Sequence, residues 1–157
     1  MKKLSTLILL AFFSFSCSNS MENSMNPFFT DYDAPYQIPP FDEIKEEHYM
    51  PAFERGMKEQ LEEIDQIANN PEQPTFENTL VEIERTGKTL SKVADVFFNI
   101  LSSNTNEKMD KIAAEVSPKL SAHSDAISLN KKLFNRVNLV HEQRNELGLN
   151  TEQKRLV

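Results

Sequence analysis

Hydrophobic residues recur along this chain at helical spacing, and four long segments carry the pattern. From about Pro51 to Ala68, the residues Phe53, Met57, Leu61, Ile64 and Ala68 fall on one stripe. Pro51 suits a first helical turn, where a missing N–H costs nothing, and Asn69-Asn70-Pro71 marks a stop. A second helix is predicted from Thr75, an N-cap residue type that follows Pro74. Its apolar positions Phe76, Leu80, Ile83, Gly87, Leu90, Ala94, Phe97 and Leu101 alternate steps of four and three, a sustained seam that reads as core packing. Gly87 on that seam predicts a close helix crossing, and part of the seam is expected to face helices outside this chain. The third segment, Asn106 to Ile127, turns Met109, Ile112, Val116, Leu120 and Ile127 inward, with Pro118 expected to kink or split it and Ser117 placed to cap its second half. The fourth, Asn130 to Leu147, spaces Leu133, Val137 and Val140 along one face and ends at Gly148, a natural residue for the position after a helix.

Short connections predict that consecutive helices pack roughly antiparallel. The scarcity of glycine, with only 3, supports an all-α fold class of antiparallel helical hairpins. A fifth helix opens at Asn150, where Gln153 completes a capping-box pattern. It stops after about two turns, and so short a helix is marginal without tertiary partners. The chain of 157 residues is therefore expected to be truncated, lacking a larger C-terminal part.

The start of the chain reads differently. Lys2 and Lys3 precede the apolar run from Leu4 to Phe15, which is too short to span a bilayer and reads as a secretory signal peptide over residues 1–16. Cys17, the single cysteine, follows directly and excludes an internal disulfide. Its position resembles the lipid-modified cysteine of bacterial lipoproteins, although Ser14 stands where such signals carry Leu, Val or Ile. Plain cleavage at Ser14-Phe15-Ser16 is the other reading. Either way the chain is expected to be exported to the periplasm, and lipidation of Cys17 would tether it to the membrane. Residues 17–26 read as a polar tether. Residues 27–42 contain four prolines and several aromatics, which predict an extended arm packed on a surface. Residues 43–157 form the helical region.

The net charge of -7 argues against binding to a phosphate backbone, so no nucleic-acid partner is expected. No phosphate-cradling glycine loop and no G-x-S-x-G nucleophile elbow occurs. The acidic pairs Glu46-Glu47 and Glu62-Glu63 have residue types used by glycosidases but read as solvated helix faces. The stretch HEQRNE at His141 begins like the zinc-binding H-E-x-x-H, yet Asn145 occupies the second ligand position. His48, His123 and His141 contain no pair four residues apart, so no two-histidine helical ligand set exists.

From Asn26 onward the chain resembles the N-terminal region of the thimet-oligopeptidase-like zinc metallopeptidases, nearest to their bacterial peptidyl-dipeptidase branch. The residues that carry the resemblance are NPFF at Asn26, the run from Pro39 to Gly87, LSKVADVFFNILSSNTN from Leu90, and SPKLSAHSDAISLNKKLFNRV from Ser117. FENT at Phe76–Thr79 and LNKKLFNRV at Leu129–Val137 are the most characteristic. The resemblance implies a large helical ellipsoid with a deep channel. A zinc ion held by H-E-x-x-H and a distant glutamate would activate water, and dipeptides would leave the C-terminus of short unstructured peptides. It also implies that these N-terminal helices form channel wall. No catalytic or metal-binding residue can be carried onto this chain, which alone is expected to bind no zinc and hydrolyse nothing. A different class stays open from the residues: a stand-alone, non-catalytic helical lipoprotein that binds peptides or a protein partner.

Overall fold

A computed structural model describes residues 26–157, which are mostly helical and contain no strand. The signal peptide and Cys17 lie outside the described residues, as does the tether up to residue 25. The helices are α1 Glu46–Ala68, α2 Glu82–Arg85, α3 Lys88–Ser103, α4 Glu107–Ser128, α5 Lys131–Gln143 and α6 Thr151–Leu156, with a π-helical turn Phe76–Val81 running into α2. Among them no helix is long and apolar enough to cross a membrane.

Helix α1 is the hub. Helix α3 runs antiparallel to it: Gly56 lies against Leu90, and Tyr49 and Phe53 meet Phe97. Helix α4 runs parallel to it, because the contacts advance together along both chains, from Glu46 with Lys108 through Glu54 with Lys119 to Gln60 with His123. Helix α5 crosses the C-terminal end of α1 and the π turn. Helices α1, α3 and α4 therefore do alternate in direction, but they are organised by their common contact with α1.

Two apolar cores result. The larger gathers Phe28, Tyr49, Ala52, Phe53, Val93, Val96, Phe97, Met109 and Val116 around the N-terminal half of α1. The smaller joins Ile64, Ile67 and Ala68 to Leu133, with Ile83 and Ile127 beside them. Between the two lies a polar belt. Gln60 Nε2 donates to Thr86 Oγ1 at 3.1 Å, and the Gly87 N–H donates to Glu63 Oε2 at 2.8 Å.

Several expectations change. Helix α1 begins at Glu46, more than a turn before Pro51, and Leu61 is part-exposed while Tyr49, Ala52 and Gly56 are buried. Glu46 and Glu47 in the first turn complement the positive end of the helix dipole. Pro51 is accommodated inside the helix. Separately, the His48 carbonyl accepts a hydrogen bond from Asn26 Nδ2 at 2.8 Å, and Asn26 is buried. The Pro/aromatic segment is not extended throughout. It forms 3-10 turns at Pro27–Phe29 and Pro35–Gln37, and it buries Phe28 against Tyr49.

The second predicted helix is broken. Gly87 adopts a left-handed conformation with φ +72° and ends the run that began at Thr75, so the seam is carried by separate pieces. Part of the seam closes within the described residues: Phe97 is buried, and Leu90, Ala94 and Leu101, half-buried, pack against the larger core. The close helix crossing falls at Gly56, where a Cβ would stand 2.7 Å from the Leu90 backbone. Pro118 does not split α4, which continues to Ser128, and Ser117 caps nothing. Its hydroxyl donates to the Ala113 carbonyl at 2.6 Å. The expected caps at Thr75 and Asn150 do form, including the Asn150–Gln153 box, and Asn106 and Asn130, given only as the starts of their segments, also cap their helices.

Gly56→Ala is expected to destabilise the protein by about 1–3 kcal/mol, because the new methyl meets main chain that cannot rotate aside. Urea unfolding checks this, and an unchanged midpoint would show that α1 and α3 can separate without cost.

Candidate functional site: an arginine-centred junction

The two phrases most characteristic of the sequence resemblance meet in space. Asn130 caps α5 by accepting from the Lys132 and Leu133 N–H groups at 3.1 Å each. That start sets the phase of the helix, and Leu133, Arg136 and Val140 then share its buried face. Arg136 replaces the predicted Val137 in that set and is only 6% exposed. Opposite it, Thr75 and Asn78 cap each other: Thr75 Oγ1 accepts from the Asn78 N–H at 3.0 Å, and Asn78 Oδ1 from the Thr75 N–H at 2.8 Å. Asn78 Nδ2 donates onward to the Gln73 carbonyl at 2.9 Å.

The guanidinium of Arg136 ties these pieces together. Nη1 donates to the Asn70 and Glu72 carbonyls at 2.7 and 3.1 Å, and Nη2 to Asn78 Oδ1 and Thr79 Oγ1 at 3.0 and 3.4 Å. One planar fork thus fastens the end of α1, the loop after it and the π turn to α5. Its Nε is buried with no partner, and no carboxylate forms an ion pair with it among the described residues. A guanidinium cannot act as general base at neutral pH, and among the described residues its hydrogen-bond partners are two carbonyls, an amide oxygen and a hydroxyl. The arrangement holds the end of α1, the loop after it and the π turn against α5. A shallow polar groove lined by Gln66, Asn70, Glu77, Asn78 and Glu82 runs beside it.

The other singled-out residues are scattered. Glu46 reaches Asn106 and Lys108, Glu62 pairs with Lys58, and Glu63 caps Gly87, so neither acidic doublet converges on a common site. His48 Nδ1 accepts from the Lys45 N–H at 3.1 Å at the start of α1. His141 Nδ1 lies 2.8 Å from the Val157 carbonyl oxygen, and Asn145 sits in the turn beyond α5. Among the described residues no three His, Cys, Asp or Glu side chains gather as a metal-binding set, so the residues present do not fit a zinc ion.

His123 is the buried histidine. Gln60 gives its amide N–H to Thr86, which leaves Gln60 Oε1 facing His123 Nε2 at 2.7 Å. In that arrangement Nε2 carries the proton, and the bare Nδ1 is buried without a partner. Burial pushes the His123 pKa below its ordinary value of 6.5. The unfolded chain therefore takes up this proton first as pH falls. The stabilising effect of a neutral His123 is complete above about pH 6.5 and is lost as pH drops through the folded-state value. Urea midpoints measured at pH 7.5, 6.0 and 5.0 should fall in the native protein and stay flatter in His123→Gln. Parallel profiles would show that His123 accepts its second proton without penalty.

No protein-family model matches the chain. Among curated proteins, it is 43% identical over 134 residues to a dipeptidyl carboxypeptidase of Salmonella typhimurium, covering 85% of this chain and 20% of that protein. It is 40% identical over 134 residues to the dipeptidyl carboxypeptidase of Escherichia coli, with the same coverage. It is 22% identical over 132 residues to oligopeptidase A of Escherichia coli, covering 84% of this chain and 19% of that protein. The family resemblance is thereby borne out. The chain spans about a fifth of the length of the curated relatives it matches.

Proposed function

We propose, from the kinship of this chain with about a fifth of each dipeptidyl carboxypeptidase, that it is the N-terminal region of an exported zinc-dependent peptidyl-dipeptidase. The observation that carries the reading is the identity of 43% and 40% along most of the chain. In this reading the helices around α1 form wall for a channel that admits short unstructured peptides, and they supply no catalytic group. Zinc would be bound by residues beyond this region, and dipeptides would be released from peptide C-termini. The leader over residues 1–16 would direct export to the periplasm, with Cys17 as the lipid anchor.

The test is the coding sequence beyond the codon for Val157. An open frame that encodes H-E-x-x-H, whose product releases dipeptides from a short peptide and stops when zinc is chelated, supports the reading. An immediate stop with no such motif downstream removes it.

A further inference from the structure

Large apolar side chains are exposed at several places, and most stand singly on helices, as on any folded protein. The segment before α1 is different. Tyr36 is 98% exposed, Ile38 51% and Phe41 53%, three apolar side chains within six residues. The chain can reach only about 3.5 Å per residue, so the backbone carrying the three spans at most about 18 Å.

This segment is held at both ends. Upstream, Phe28 is buried in the larger core, and Lys92 Nζ donates to the Thr30 carbonyl at 2.9 Å. Downstream, the Glu43 and Ile44 N–H groups both donate to the Pro40 carbonyl, at 2.9 and 3.1 Å, and Ile44 packs against the same core. At the tip, Tyr36 and Gln37 have φ of +61° and +55°. For residues with a Cβ this region costs about 1–2 kcal/mol each, and such conformations persist where surroundings hold them. Within the described residues nothing covers the Tyr36 ring. The relatives are polypeptides of which the matched region is only 20%, so there this region sits within a much longer chain.

We propose that the Tyr36–Ile38–Phe41 knob docks into the polypeptide that follows this region in the dipeptidyl carboxypeptidases. Asp33 and Asp42 flank the knob, so the receiving pocket is apolar with a basic rim. This rests on the proposed kinship of the whole protein, but it is tested separately.

The probe is a chimera of residues 1–157 joined to the part of the Salmonella typhimurium relative beyond the matched region. Hydroxyl-radical oxidation of Tyr36, Ile38 and Phe41 is compared with that in the 157-residue chain alone. At least fivefold protection in the chimera is expected. Oxidation that stays the same overturns the docking, and if that chimera still releases dipeptides, the peptidase reading stands without it. Protection without dipeptide release keeps the docking and counts against the catalytic reading. Protection in the 157-residue chain that grows with protein concentration would assign the knob to a second copy and overturn the proposal.

Discussion

Replacing Arg136 by methionine should lower stability by about 2–4 kcal/mol, although the two side chains fill similar space. Two effects compete. Methionine removes a buried cation that has no carboxylate partner, which by itself favours the variant. Against this, the Asn70 and Glu72 carbonyls lose charge-assisted hydrogen bonds, each worth about 1.5–3 kcal/mol. Asn78 Oδ1 suffers less, because it still accepts from the Thr75 N–H and the Thr79 hydroxyl. The loss of the two carbonyl contacts outweighs the relief, and the midpoint of thermal unfolding should drop by roughly 10 °C. Arg136→Lys should recover only part of this, since an ammonium cannot reproduce the planar fork. A double-mutant cycle with Asn78→Ala should show coupling well above 0.5 kcal/mol. Additive effects would mean that α5 and the π turn are held together by Leu133 and its apolar neighbours alone.

Phe97→Ala should cost more, about 3–5 kcal/mol. Phe97 is 0% exposed and lies edge-on to Tyr49, Phe53 and Phe98 at ring separations of 5.0, 5.3 and 5.2 Å. Truncation removes the buried surface, leaves a cavity between α1 and α3, and forfeits edge-to-face contacts worth about 0.5–1.5 kcal/mol each. The neighbouring Phe98, 39% exposed, is the internal control, and Phe98→Ala should cost less than half as much. Equilibrium urea unfolding separates the two. Equal losses would show that the larger core does not centre on Phe97.

These two residues differ in how far they could be read from the chain itself. Phe97 sits on the four-three seam and is core by periodicity alone. Arg136 gives no such signal, because a charged residue between apolar ones on a helix reads as a surface position. Only the fold shows that its neighbours on α5 turn it toward four main-chain and side-chain acceptors about 60 residues earlier in the chain. His123 is similar: it lies in the inward stripe of α4, but its partner Gln60 is 63 residues away. The knob at Tyr36 was legible as a proline-rich, aromatic segment, whereas its left-handed backbone and exposed ring were not.

Helix positions were legible wherever the cause is local. The caps at Thr75, Asn106, Asn130 and Asn150 form because each side chain bonds a main-chain N–H only two or three residues ahead. The inward face of α4 follows from periodicity, whereas in α3 the buried set includes Val93 and Val96, which lie off the predicted seam beside Phe97. Continuity of a helix depends on distant partners. Gly87 ends a helix that periodicity would continue, as Glu63 and Gln60 of α1 hold the chain in its left-handed turn. The close crossing belongs to Gly56, because contact between two backbones is a property of the pair and leaves no mark on either segment alone.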